Sequence, residues 1–141
     1  MHRRQFLTGT LGALTAVTLP GPALGRDVIK LRELYARDGS ASSLAESLVG
    51  ERITIDGFMA PPLQAESQFF VLTRIPMAVC PFCETEADWP KDILAVYTKR
   101  TVDVVPFNKR ITSTGVLELG SYRDPNTGFL SMVRLNDAVY G

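Results

Sequence analysis

Histidine is nearly absent from the chain: His2 is the only one in 141 residues. It lies in a stretch that reads as a removable leader, so the remaining chain has no imidazole. Hydrolases built on a Ser–His or Cys–His pair, and His-ligated zinc enzymes, are excluded with it. Net charge is absent too, with 15 Lys+Arg against 15 Asp+Glu. Nucleic acid is therefore not expected as a bulk partner, because neutralising phosphates needs a basic excess. The apolar stretch from Leu7 to Leu19 falls short of the roughly 20 residues that span a bilayer. Cysteine occurs twice and tryptophan once. What remains is an ordinary globular balance, 45% hydrophobic and 21% charged, at a length that fits one domain.

The N-terminus carries the clearest address. Arg3, Arg4, Phe6 and Leu7 look like a twin-arginine export signal. A mild Gly/Ala/Thr-rich apolar run follows, then Pro20-Gly21-Pro22, then Ala23-Leu24-Gly25 as a small-x-small cleavage site. Residues 1–25 are read as a cleaved signal peptide and the protein as periplasmic, with no stable membrane span after cleavage. The leader holds Arg3 and Arg4 and no acid, so 13 basic and 15 acidic residues remain, a formal charge of −2.

Residues 26–50 read as a helical N-terminal segment. Val28, Leu31, Leu34 and Tyr35 fall at helical spacing, and Leu44 with Leu48 repeats it beyond the Asp38-Gly39-Ser40 break. Ser42 or Ser43 caps the second piece, and Gly50 stops it. From Glu51 the texture becomes β. Ile53 and Ile55 alternate with Arg52, Thr54 and Asp56, and Gly57 suggests a bulge. Further runs cover residues 69–75, 93–97, 111–119 and 129–139. Asp124-Pro125-Asn126-Thr127-Gly128 joins the last two as a hairpin turn. Five strands behind one or two helices predict a mainly β fold, a five-stranded OB-like barrel over residues 51–141. An open α+β sheet is the alternative.

Between the second and third strands lies Pro76-Met77-Ala78-Val79-Cys80-Pro81-Phe82-Cys83-Glu84. Two thiols three residues apart can chelate a soft metal, cycle as a dithiol, or form a permanent short-loop disulfide. Cys-Pro-Phe-Cys is similar to the motif of glutaredoxin-like proteins. Only nine residues separate Cys83 from the next strand, however, too few for the crossover helix of that fold. As a metal site the pair needs further ligands, and without histidine these are Met77 and Glu84. Met59, Glu86 and Asp88 stand behind them, each more simply read as packing or as a solvated turn. Cys/Met ligation favours copper and Cys/carboxylate favours zinc. Trp89 reads as a lid on the core. Lys99-Arg100 and Lys109-Arg110 bracket a loop and read as solvated, or as a small anion-holding patch. No nucleophile or base other than the thiols stands out, so an enzyme is not favoured.

Residues 48–139 resemble small exported bacterial proteins of unknown function that carry an OB-like barrel. The resemblance rests on the Gly50–Pro61 strand, Phe70-Val71-Leu72, the Cys80/Cys83 loop and Gly115-Val116-Leu117-Glu118. It implies a binding or accessory role, with a membrane transport component or another periplasmic protein as partner. It supplies no catalytic residue. The function expected is soft-metal binding through the Cys80/Cys83 loop. A protein-interaction module with a structural disulfide, and a thiol–disulfide exchange protein, are the alternatives.

Replacing Arg3 and Arg4 with Lys is expected to strand uncleaved precursor in the cytoplasm, as read by cell fractionation. Normal export of that variant would assign the leader to the general secretory route.

Overall fold

The computed structural model describes residues 27–62, 64–78 and 92–141. The fold is mainly β: a six-stranded mixed sheet with one short α-helix among the described residues. The strands are β1 (Ile29–Lys30), β2 (Arg52–Met59), β3 (Phe69–Thr73), β4 (Ile93–Thr98), β5 (Arg110–Arg123) and β6 (Leu130–Tyr140).

β2 organises the sheet. It pairs antiparallel with β5 from Arg52↔Val116 to Phe58↔Arg110. A strand has two edges, so β1 and β3 share the other one. β1 pairs parallel at Ile55 and Asp56, and β3 pairs antiparallel at Phe58 and Met59. The pairing then runs from β3 to β4, from β4 in parallel to β6, and from β6 antiparallel to β5. The circuit thus returns to β2.

Gly57 sits where β1 gives way to β3. A Cβ there would lie 2.7 Å from the Thr73 carbonyl oxygen and 2.9 Å from Leu72 Cγ. The glycine is needed for close approach. The expected bulge at Gly57 is not formed, since the β2–β5 register runs unbroken through it. The irregularity lies instead at Gly115, where the β5–β6 register shifts between Thr114 and Val116. A Cβ at Gly115 would come within 2.9 Å of Asn136 O.

The alternation read in the sequence sets the core. Ile53 and Ile55 are buried, as are Ile111, Ser113 and Leu117 on the facing strand β5. Phe70 and Leu72 of β3, Leu94 and Val96 of β4, and Val133 and Leu135 of β6 complete this cluster. Full burial of each large aliphatic or aromatic side chain contributes about 1.5–3 kcal/mol. β3 and β4 are buried on both faces. Phe69, Val71, Ile93 and Ala95 form a second cluster with Ala60 and Phe129.

Residues 26–50 are not the helical segment expected. Ile29–Lys30 is a strand, Leu31–Leu34 a 3-10 turn, and only Ser43–Leu48 is an α-helix, α1. The parallel pairing of Ile29 and Lys30 with β2 overrides the helical spacing of Val28 and Leu31. Of the apolar positions, Leu31 and Leu34 join the main cluster with Ala45, and Tyr35 and Leu48 pack against it, whereas Val28 and Leu44 are exposed. Ser42 is the cap: its Oγ accepts the Ala45 N–H at 3.1 Å and donates to the Glu33 carbonyl at 2.6 Å.

Truncating Ile55 to Ala should cost about 2–5 kcal/mol in urea unfolding. Gly57→Ala should cost about 1–3 kcal/mol, because the methyl meets backbone rather than a movable side chain. A change within about half a kcal/mol in either would contradict the packing assigned to β2.

Candidate functional site

The loop that carries the cysteines leaves from Thr73 and returns at Ile93, which are paired across β3 and β4. Its base is clipped shut. The Arg74 N–H donates to the Asp92 carbonyl at 3.3 Å, and Arg74 Nε donates to Asp92 Oδ2 at 3.1 Å. Asp92 takes a φ of 69°, a left-handed conformation that Asp tolerates better than most side chains. Thr73 Oγ1 donates to the Ile75 carbonyl at 2.7 Å, and the Tyr35 hydroxyl donates to the Ile93 carbonyl.

Of the expected ligand set, Met77 is described and is half-buried just beyond this base. Cys80, Cys83 and Glu84 lie outside the described residues, as do Glu86, Asp88 and Trp89. Met59 is a packing residue: it is buried, and its Sδ accepts the Val105 N–H at 3.4 Å. Among the described residues no group of three or more His, Cys, Asp or Glu side chains could hold a metal ion.

Lys99 and Arg110, at the two ends of the 99–110 loop, are drawn to separate carboxylates. Lys99 Nζ lies 2.9 Å from Asp137 Oδ1, Arg52 reaches Asp137 Oδ2 at 2.8 Å, and Arg110 reaches Asp56 at 2.7 Å. Hydrogen bonds from Lys99 and Arg52 hold the Asp137 carboxyl below the usual carboxylate range. All of these pairs are at least partly exposed, so each contributes little to stability.

A second constellation, not anticipated from sequence, lies on the outer face of β4, β5 and β6. Phe69 and Tyr97 stack with ring centroids 5.0 Å apart, and Tyr122 meets Tyr97 edge-on at 5.8 Å. The Arg134 guanidinium stands 5.0 Å from the Tyr122 centroid. Arg134 is buried; it donates to the Gly120 carbonyl at 2.7 Å and to Glu118, which Asn136 also engages.

Asp124, also buried, ties the β5–β6 turn together. Its Oδ1 accepts from the Asn126 and Thr127 N–H groups at 2.9 and 2.8 Å, and from Thr127 Oγ1 at 3.0 Å. Its Oδ2 accepts the Tyr97 hydroxyl at 3.3 Å. Burial, reinforced by the Asp124 carboxylate, pushes the Tyr97 phenol well above its ordinary range. The turn residues Asp124–Gly128 were legible as a turn. That the same aspartate receives a tyrosine 27 residues earlier was not.

No family model matches the chain, and no curated protein matches it. A solved structure of a DUF3299 family protein from Pseudomonas aeruginosa PAO1 aligns with a TM-score of 0.47 and 12% identity. The alignment covers 78% of this chain and 71% of that one.

The folded Tyr97 phenol keeps its proton above pH 10, where an unfolded tyrosine releases it. Stability should therefore fall as pH rises past about 10. Absorbance titration of the native protein should show a late tyrosine component, and Tyr97→Phe should remove it. Asp124→Asn should move it part of the way back toward the ordinary range.

Proposed function

We propose that the chain is a periplasmic binding or accessory protein, an OB-like barrel whose Cys80/Cys83 loop takes up a soft transition metal, copper or zinc. The observation that carries this reading is the clipped hairpin base. The only two cysteines of the chain stand three residues apart in a loop whose ends are fixed by Arg74 and Asp92. A chelating pair delivered from a fixed base starts with part of its ordering cost already met. The barrel reading is supported by the pairing circuit that leaves β2 through β3 and returns through β5. Export is supported by Arg3-Arg4-x-Phe6-Leu7.

The metal reading is preferred to a purely structural disulfide on energetic grounds. Closing a loop of about four residues removes only about 2 kcal/mol of unfolded-state entropy. The hairpin base is, besides, already held by other bonds. Met77 follows that base directly and is the nearest thioether in sequence to Cys80. Binding rather than catalysis is favoured because no imidazole follows His2 and general acid–base work most often uses one. The partner expected is a transport component or another periplasmic protein.

Reduced protein should bind Cu(I) or Zn²⁺ at one equivalent and lose it on acidification, since thiolate ligands must shed protons to bind. Cys80→Ser and Cys83→Ser should each abolish uptake, and Met77→Leu should weaken Cu(I) selectively. No uptake tighter than about micromolar by the reduced wild type would end the metal reading. Serine variants that only lower the melting temperature would then favour the disulfide. A reduction potential well above about −300 mV would favour thiol–disulfide exchange.

A further inference from the structure

The aromatic face described above opens into a cleft of about 640 Å³, within the range of ligand pockets, about 300–1,000 Å³. One wall is the loop before β3, carrying Gln64 and Gln68; the other is the β5–β6 turn, carrying Asn126 and Thr127; Tyr97 and Tyr122 lie between. These walls are remote in sequence and meet only through the β3–β4–β6–β5 pairing.

The lining chemistry is specific. Among the described residues its lining contains no Lys or Arg, while Glu66 and Asp124 supply two carboxylates. An anionic ligand would meet like charge, and Arg134 beside the Tyr122 ring is already paired with Glu118. A cation is not well served either, because Asp124 already accepts four hydrogen bonds and Glu66 is exposed to water. What the walls offer in quantity is neutral capacity. Three side-chain amides, of Gln64, Gln68 and Asn126, can each donate and accept. The Tyr97 hydroxyl spends its proton on Asp124, so its oxygen remains an acceptor.

The floor adds an apolar surface held in place. Tyr97 is fixed between Phe69 and Tyr122, and Tyr122 is 40% exposed while Arg134 holds its ring. A ligand that matches must present apolar C–H faces to the rings and hydroxyl groups, each donor and acceptor, to the amides. Sugar rings have both features on one rigid frame. A preformed floor also lowers the ordering cost of binding.

We propose that the cleft between the Gln64–Gln68 loop and the Asp124–Thr127 turn binds a neutral oligosaccharide on Tyr97 and Tyr122. None of the described residues that line this site belongs to the cysteine loop, and the site is tested apart from the metal reading.

The test is titration of the full chain, followed by calorimetry and ¹⁵N shift changes, with chitotetraose, cellotetraose and maltotetraose as probes. Tetramethylammonium and a dT tetranucleotide are the cationic and anionic comparators. Saturable binding of at least one tetrasaccharide is expected, with shifts confined to the cleft. Tyr122→Ala and the double variant Gln68→Ala/Asn126→Ala should each weaken it at least about tenfold. All three substitutions fall at exposed positions, and unchanged melting curves will confirm that the variants fold. Cys80→Ser/Cys83→Ser should bind the sugar as wild type does. The proposal is overturned if no tetrasaccharide saturates at about 1 mM, if binding survives both cleft variants, or if either charged comparator binds in the cleft while the sugars do not.

Discussion

The hydrogen-bonding capacity of β2 is the constraint on which the molecule depends. One edge is taken by β5 along seven consecutive positions, and the other is divided between β1 and β3. Backbone N–H and C=O groups removed from water must be paired, so a strand engaged on both edges fixes its neighbours as firmly as they fix it. The division happens at Gly57, where the Thr73 carbonyl comes too near for any side chain. Everything beyond β3 follows, because β4 can only add to the free edge of β3, and β6 joins β4 to β5.

This arrangement gives β3 and β4 two jobs. Their even-numbered residues, Phe70, Leu72, Leu94 and Val96, fill the main core with Ile53 and Ile55. Their odd-numbered residues, Phe69, Val71, Ile93 and Ala95, form the second cluster, with Tyr97 packed at its margin. The same two strands also carry the cysteine loop at one end of their pairing and the polar cleft near the other. The proposed metal loop and the proposed sugar cleft are in this sense rooted at opposite ends of one hairpin. The shared strand pair carries Tyr97 directly, and the loops around it carry the cysteines and the amide walls of the cleft.

Several elements were legible because a local rule was enough to specify them. The Arg52–Asp56 alternation marked the inward positions of β2, and the alternation over residues 111–119 marked those of β5 as far as Leu117, with Leu119 only partly buried. A serine cap at 42 or 43 was readable from hydroxyl chemistry, and the structure chose Ser42. Asp124 to Gly128 was readable as a turn, with Gly128 at a φ of 75°. Where a long-range contact competed with a local preference, local reading failed. Val28 and Leu31 followed helical spacing, yet Ile29 and Lys30 between them became a strand because the edge of β2 was available. Gly57 and Gly115 are both strand glycines, yet only Gly115 sits at a register shift.

By itself the sequence determined the mainly β character, the inward residues of β2 and most of those of β5, and the isolated Cys80/Cys83 pair. Each of these is carried by neighbours within a few positions, through side-chain period, turn propensity or spacing. The tertiary structure alone decided which strands are neighbours, since the parallel β4–β6 pairing joins segments some 40 residues apart. It decided that Tyr97, Tyr122 and Asp124 form one wall, and that Arg74 and Asp92 close the base of the cysteine loop. No local rule carries such information. Two residues distant in the chain meet only because backbone pairing elsewhere has already fixed where each strand must lie.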